Sequence, residues 1–414
     1  MPTVRPFRAI RPDPAYAEKL ACLPYDVMDR REAKEMAEGN PYSFLRVIRS
    51  EIEFPESVGD YEEAVYEHAR SNLLKLIQDN VLRKDERPFF YIYREIMDGR
   101  AQTGLVATVS VDEYQKNIIR RHEFTRKDKE VDRTRHFDVC EAHTEPIFLT
   151  YHREDRISRL IDDFVKFNDP VYDFKKEDEV THQLWVVDDA ETITELERLF
   201  REIDLLYIAD GHHRTASAAN VALKRREENP DAPEDAELNY SMAVIFPDED
   251  LYIMSCNRLV KDLSGLTEEQ FLSRLSAVFK VEKSDDPCEP TRKGEIGMNL
   301  GGKWYLLTVP DSLYEGLDPV GILDVSILQN HVLSPILGVG DPRTCARIDF
   351  IGGIRGIGEV MRRVDEGWAV AFVMFPTTIE ELLAVADAEM IMPPKSTWFE
   401  PKLRSGLFIH DLRD

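Results

Sequence analysis

The sequence predicts a mixed α+β (mixed α/β) protein of more than one domain, and three observations carry that expectation. The chain has 414 residues, enough for two or three domains. Apolar runs short enough to be strands alternate along it with amphipathic helical stripes. One stretch, Leu205-Leu206-Tyr207-Ile208-Ala209-Asp210-Gly211-His212-His213-Arg214, runs from a strand straight into an Ala-rich helix. The strand shows no alternation, so both faces should be covered. The helix, from about 212 to about 228, has good helix formers throughout and ends before Pro230.

That junction is the chemically distinctive part of the chain. A helix starting at the C-terminal end of a strand points its free N–H groups and the positive end of its dipole at whatever sits there, which favours an anion. Gly211 lets the anion approach the backbone, and Arg214 brings a fork of donors suited to phosphate. The plain alternative is a capped helix with Asp210 as N-cap and the two histidines at the surface. Against it, His212, His213 and Arg214 put positive charge where it opposes the dipole, so a bound anion that repays that cost explains the cluster better.

The remaining elements follow in chain order. Residues 1–100 read as an N-terminal α/β unit. It holds extended pieces at 6–10 and 23–27, a helix through Glu32, Ala33 and Met36 stopped by Gly39-Asn40-Pro41, an alternating strand at 44–49 and a helical stripe over 60–82. A strand at 89–96 turns at Asp98-Gly99 into a strand at 103–111. A mixed-charge helix runs to about 143, then a strand over 146–151, a helix over 155–168, a strand over 183–187 and a helix over 192–203. Beyond the junction come a hairpin of 240–246 and 251–254 around 247–250, a polar loop over 284–293 and a strand over 303–309. A helix over 322–337, a tight strand-to-helix turn at 351–358, a strand over 368–375, a helix over 379–388 and a last strand at 407–409 complete the reading. Gly352-Gly353-Ile354-Arg355-Gly356-Ile357-Gly358 does not fit the spacing of a dinucleotide loop.

Composition bounds the function. With 78 acidic and 53 basic residues the formal net charge is −25, which speaks against a nucleic-acid backbone or an anionic membrane as main partner. No apolar run approaches the ~20 residues of a membrane span, and Met1-Pro2-Thr3-Val4-Arg5 lacks the apolar core of a signal peptide. Five scattered cysteines, none in a C-x-x-C, suit a reducing cytoplasm and suggest no metal site.

Two further stretches carry candidate chemistry. In Arg120-Arg121-His122-Glu123-Phe124-Thr125-Arg126-Lys127, one carboxylate stands among cations. It reads either as a surface salt-bridge cluster or as a base kept ionised near bound anions. In Met392-Pro393-Pro394-Lys395-Ser396-Thr397, a proline-stiffened loop offers a Lys and two hydroxyls, either as an ordinary loop or as phosphate donors.

Together these segments resemble the free serine kinase (SerK-like) proteins of the ParB/sulfiredoxin superfamily. Asp210-Gly211-His212-His213-Arg214 is similar to that family's phosphate turn, His122-Glu123 to its His-Glu pair and Pro394-Lys395-Ser396-Thr397 to its C-terminal loop, in the same order. Nearly end to end, the chain also resembles the larger family filed as domain of unknown function 1015. It shares Pro24-Tyr25-Asp26-Val27, Asn40-Pro41 before Ser43-Phe44-Leu45, and Arg121-His122-Glu123 before Thr125. One departure is Cys256-Asn257-Arg258-Leu259, where Thr-His-Arg-Leu is expected.

The resemblance implies a ParB/sulfiredoxin-like nucleotide-binding core over 101–260, flanked by the N-terminal unit (1–100) and a C-terminal α/β lobe (261–414) whose Lys395–Thr397 loop returns to the site. It implies a kinase using ATP or ADP with Mg2+ to phosphorylate a small hydroxyl compound, foremost free serine. Glu123 with His122 would be catalytic. Asp210, Gly211, His212, His213, Arg214, Lys395, Ser396 and Thr397 would hold the nucleotide, with Asp210 also on the metal. Arg121, Arg126 and Arg46 would bind the substrate carboxylate. A homodimer is compatible with this reading. The competing expectation is a ParB-like nucleotide-binding regulatory or DNA-associated module without kinase activity. A metal hydrolase built on His212 and His213 is disfavoured, because adjacent residues at a helix start rarely face one metal.

Overall fold

The structure of the chain is a computed structural model and describes residues 1–413. Helices and strands are mixed, as the sequence predicts. The chain forms two compact units. The first comprises Met1–Arg121, Thr125–Leu251 and the chain from Pro401 on, and the second His122–Phe124 and Tyr252–Glu400.

The first unit is built on a nine-stranded mixed sheet. Its path runs Ile119–Arg120, Leu206–Asp210, Ile147–Tyr151, Tyr240–Pro247, Arg100–Ser110, Phe90–Met97, Thr181–Val187, Tyr172–Lys175, and Val4–Arg5 pairs with Arg100–Ser110. The hairpin between Phe90–Met97 and Arg100–Ser110 turns where expected. Asp98 and Gly99 both take positive φ (53° and 79°), which matches the twist of the strands it joins. Helices Asp155–Phe167 and Ala190–Phe200 lay Ile157, Ile161, Leu196, Leu199 and Phe200 on Leu105, Leu149, Leu206 and Ile245. Ala218, Ala219 and Ala222 of helix His212–Glu228 pack on Val111. Ser217 Oγ donates to the Glu130 carbonyl (3.0 Å) and Asn220 Nδ2 to Glu130 Oε1 (2.8 Å), which ties that helix to Lys127–Cys140. The N-terminal helices share a core with Cys140, Ala142 and Ile409. One of them, Arg30–Met36, opens on a reciprocal capping box between Asp29 and Glu32.

The second unit is a six-stranded antiparallel sheet ordered Lys280–Ser284, Lys303–Thr308, Glu295–Leu300, Val370–Met374, Cys256–Val260, Ile348–Gly352. Helix Gly356–Asp365 buries Val360 and Val364 against Leu259, Ile351, Ala371 and Val373. The strand-to-helix turn at 351–358 forms as read. Gly352 is needed there because a Cβ would lie 2.4 Å from the Trp398 ring.

Four local expectations fail, each for a tertiary reason. Residues 44–49 form the helix Leu45–Ile48 and a 3-10 turn Ser50–Glu53, not a strand. Phe44, Leu45, Val47 and Ile48 are all buried among helices, and a short apolar run does not distinguish strand from helix by period alone. The hairpin over 240–254 does not close. Tyr240–Pro247 pairs instead with Arg100–Ser110 and Ile147–Tyr151, and Ile253–Met254 pairs with Trp398–Phe399. The helix over 322–337 is α-helical only at Asp324–Leu328 and widens into a π turn at Gln329–Leu333, where Gln329 Nε2 donates to the Val339 and Gly340 carbonyls (2.9 and 3.0 Å). The last strand is His410–Asp411, paired with Ala142–His143, rather than 407–409.

Three of the buried histidines of the first unit contribute to its stability above about pH 6.5. Burial, and then Arg133, pushes His136 down to about 3. Burial also holds His143 and His182 well below the ordinary value, helped by His410 and Arg225 in one case and by Arg404 and Lys176 in the other. Unfolded, each recovers a pKa of about 6.5. Below that pH the unfolded chain binds more protons, so the stability is full above it and is lost as pH falls. At most the loss is roughly 4 kcal/mol per pH unit for three histidines. The raised carboxyls Glu145 and Asp250, shifted mainly by burial, offset part of it at lower pH. Urea unfolding at about pH 7.5 and pH 5.5 should show a clear drop in midpoint; an equal or higher midpoint at pH 5.5 would contradict this account.

Candidate functional site

In the first unit, strand Leu206–Asp210 hands over to helix His212–Glu228 through Gly211. Gly211, not Asp210, is the helix N-cap. Its φ of 90° is one that side chains with a Cβ rarely adopt. Asp210 instead turns Oδ1 onto the Gly211 N–H (2.9 Å). The Arg214 guanidinium folds back over the glycine, so that a Cβ there would lie 3.2 Å from its Cζ and Nε.

Arg214 is only 2% exposed. Nη1 donates to the Pro146 carbonyl (2.6 Å) and Nη2 lies 4.0 Å from Asp210 Oδ2. Nε has no hydrogen-bond partner among the described residues. Burial alone would lower this guanidinium's pKa, but the charges of Asp26, Asp210 and Glu145 more than reverse that, so it stays a cation. A buried, permanently charged donor with an unused N–H at a helix start is physically suited to accept an anion.

A second cation stands on the turn. Lys402, buried on the C-terminal segment, places Nζ 2.9 Å from Asp210 Oδ2. The sequence reading did not single it out, because nothing in Glu400-Pro401-Lys402-Leu403 marks a return over 192 residues to Asp210. A single carboxylate such as Asp210 is the kind of residue that would hold Mg2+ beside phosphates, although here both its oxygens are engaged, Oδ1 by the Gly211 N–H and Oδ2 by Lys402.

Behind the turn lies a charge network that includes the Pro24–Val27 motif. Glu145 is buried. It accepts the Tyr25 N–H on Oε1 (3.1 Å) and Arg133 Nη1 on Oε2 (3.4 Å). Arg133, also buried, donates Nε to Asp132 Oδ2 (2.9 Å) and lies 4.2 Å over the Tyr25 ring. Arg49 holds the Tyr25 and Met28 carbonyls (both 2.8 Å). This fixes Asp26, which is exposed and whose negative charge reaches Arg214. Asp26 and Glu145 thus belong to the charge surroundings of Arg214, although the sequence marked only Asp26, and only as part of a motif.

The other expected residues of this unit are placed as follows. His212 is buried, and His213 Nε2 accepts the Arg126 backbone N–H (2.9 Å), which puts its proton on Nδ1. The Arg126 side chain pairs with Asp128 (2.9 Å) and Arg121 lies on Tyr114 (5.7 Å). Arg46 is committed to the fold: it pairs with Glu53 and donates to the Asn40 and Ala37 carbonyls (both 3.2 Å).

In the second unit, the His122 carbonyl accepts the Met392 N–H (2.8 Å), so the His122–Phe124 segment is joined to the 392–397 loop. His122 is buried, Glu123 half-buried and Phe124 exposed. Lys395 is exposed with φ 58°, a left-handed conformation unusual outside glycine, and its carbonyl accepts Arg258 Nη2 (3.0 Å). Ser396 is buried; its Oγ donates to the Pro393 carbonyl (2.6 Å) and its carbonyl accepts Thr377 Oγ1 (2.8 Å). Its hydroxyl therefore shapes the loop, and Lys395 and half-buried Thr397 are the more accessible groups. Asn257, at the departure from Thr-His-Arg-Leu, accepts the Met374 N–H on Oδ1 (3.1 Å) and locks two strands together.

Two outcomes check this description. Glu145→Ala removes a buried partner of Arg133 and should destabilise the protein by about 3–5 kcal/mol in urea unfolding; a loss under about 1 kcal/mol would show that the network is not what holds the 24–28 segment. Pyrophosphate should raise the melting temperature of the wild type and do so much less for Arg214→Lys, which lacks Nε, and for Lys402→Ala. Equal shifts in all three proteins would dismiss the turn as an anion site.

The comparisons with known proteins give the family. No curated protein matches the sequence. Among solved structures, a free serine kinase is similar, both in complex with AMP and, as a mutant, with ADP. Identity is 14% over 71% of this chain and 86% and 87% of that chain, with a TM-score of 0.35. A conserved hypothetical protein from Pyrococcus furiosus is similar at 14% identity, covering 72% and 93% of the two chains with a TM-score of 0.35. SbnI with a C-terminal truncation, from Staphylococcus aureus, is similar at 12% identity, covering 75% and 89% with a TM-score of 0.42. The family model described as "Protein of unknown function (DUF1015)" matches residues 4–326, so the chain belongs to that family.

Proposed function

We propose that the protein is a nucleotide-dependent small-molecule kinase that transfers a terminal phosphoryl group to a hydroxyl. The observation that carries the proposal is Arg214: a buried cation with an unused Nε–H, folded over the glycine that starts a helix, with Lys402 held on the neighbouring carboxylate. Such a turn binds the phosphates of ATP or ADP through backbone N–H groups and two cations. Its second support is the motif order His122-Glu123, Asp210–Arg214, Lys395–Thr397, similar to that of free serine kinases.

In this reading Glu123 accepts the proton of the acceptor hydroxyl as its oxygen attacks the terminal phosphorus. A new O–P bond forms, the phosphoanhydride bond breaks and its electrons leave with the shortened nucleotide. Bound Mg2+ would neutralise charge on the phosphate oxygens, and Asp210 would be the carboxylate that holds it. Little covalent chemistry is asked of the chain, so positioning and charge suffice. Lys395 and Thr397 are assigned to the nucleotide, and Arg121 and Arg126 to an acceptor carboxylate. A net charge of −25 weighs against the DNA-associated alternative.

The test is phosphoserine formation from free serine with Mg2+ and either ATP or ADP. The wild type should make it, and Glu123→Ala should be slower by about 10²–10⁴-fold. No phosphoserine from either nucleotide would refute the serine kinase, and an undiminished Glu123→Ala rate would remove Glu123 as the base.

A further inference from the structure

The second unit contains a cleft of about 440 Å³ whose lining includes Glu123, Phe124, Gln329, Asp341, Arg343 and Met392. Its size falls in the range of small-molecule sites and is far more than free serine fills. Phe124 is 52% exposed although it is a large aromatic, and the Arg343 guanidinium stands 5.9 Å over its ring. Arg343 gives Nε and Nη2 to Asp341 (3.0 and 2.8 Å), which leaves Nη1 without a partner among the described residues. Gln329 holds the Val339 and Gly340 carbonyls, which fixes the loop that carries Asp341 and Arg343. Met392 is tied to the His122 carbonyl, so the wall opposite is fixed to the segment that carries Glu123.

This cleft joins the Glu123 carboxylate, the Asp341–Arg343 ion pair with Nη1 of Arg343 left over, and an apolar wall. We infer that it is the acceptor site, and that its acceptor is a hydroxycarboxylic acid with an apolar or aromatic body, bulkier than free serine. The inference rests on the kinase reading for Glu123 and adds the substrate class. In this refinement Arg343 Nη1, rather than Arg121 or Arg126, receives the acceptor carboxylate, the apolar body lies on Phe124 and Met392, and the hydroxyl faces Glu123. Burying an aromatic ring on Phe124 supplies discrimination that a small polar amino acid cannot use.

The probe is 3-hydroxy-2-phenylpropanoate, which has the skeleton of serine with a phenyl ring in place of the ammonium group. With Mg2+ and ATP or ADP, kcat/KM for the probe should exceed that for serine by about tenfold or more. Phe124→Ala should lower kcat/KM for the probe about tenfold more than for serine, and Arg343→Gln should raise KM for both while changing kcat little. Both side chains are at the surface, so the variants should melt with the wild type. Calorimetry of the probe without nucleotide separates the two readings. Binding that is lost in Phe124→Ala and Arg343→Gln, with no acceptor phosphorylated, would keep the cleft as a hydroxycarboxylate-binding site but refute the kinase and with it the acceptor role. Phosphorylation of serine with no preference for the probe, and neither variant changing probe binding, would keep the kinase and refute the acceptor site. No binding and no phosphorylation would refute both.

Discussion

The first unit depends on keeping two guanidinium groups charged where water hardly reaches. Arg133 and Arg214 are both buried, and burying an isolated cation is prohibitive. Two buried carboxylates, Asp132 and Glu145, make the arrangement tolerable, and Asp26 and Asp210 add negative charge from less buried positions. Burial drives the Glu145 pKa up while Arg214 and Arg133 pull it down, so this carboxylate and the two cations stabilise one another's charge. Losing any one member leaves the others uncompensated, which makes the network a constraint on the fold as much as a set of contacts.

That constraint explains why distant segments meet at the turn. The 24–28 loop is held by Glu145 and Arg49, and the C-terminal segment brings Ser405 Oγ to Glu145 Oε1 (3.3 Å) and Lys402 to Asp210. Each segment adds a charge or a hydrogen bond that the turn cannot supply from its own residues. The N-terminal residues are thus part of the packing that keeps Arg214 in place, and share a core with the strand that closes the chain.

The strand, the glycine and the helix were legible because each has a local signature: a non-alternating apolar run, a residue free to take φ 90°, and an Ala-rich stretch ending at a proline. The charge excess at the helix start was legible too, since it violates the dipole preference and so points to a function. Lys402 and Glu145 were not legible as site residues. Their role comes from partners 192 and 120 residues away, and neither sits in a run that differs from its surroundings. The 44–49 error has the opposite origin. Its apolar spacing satisfies a strand locally, and only the helices around it decide for a helix. Ser396 shows a subtler limit: its residue type suits phosphate, but its hydroxyl is spent on the Pro393 carbonyl.

Asp210 resolves an apparent conflict between these observations. An acidic side chain beside an anion site should repel the anion, yet Asp210 is held there by the Gly211 N–H and by Lys402. Its charge keeps Lys402 in position and helps keep Arg214 protonated while the site holds no anion. If Asp210 were to take a divalent cation, as proposed above, it would supply the carboxylate and Lys402 would become available to an anion.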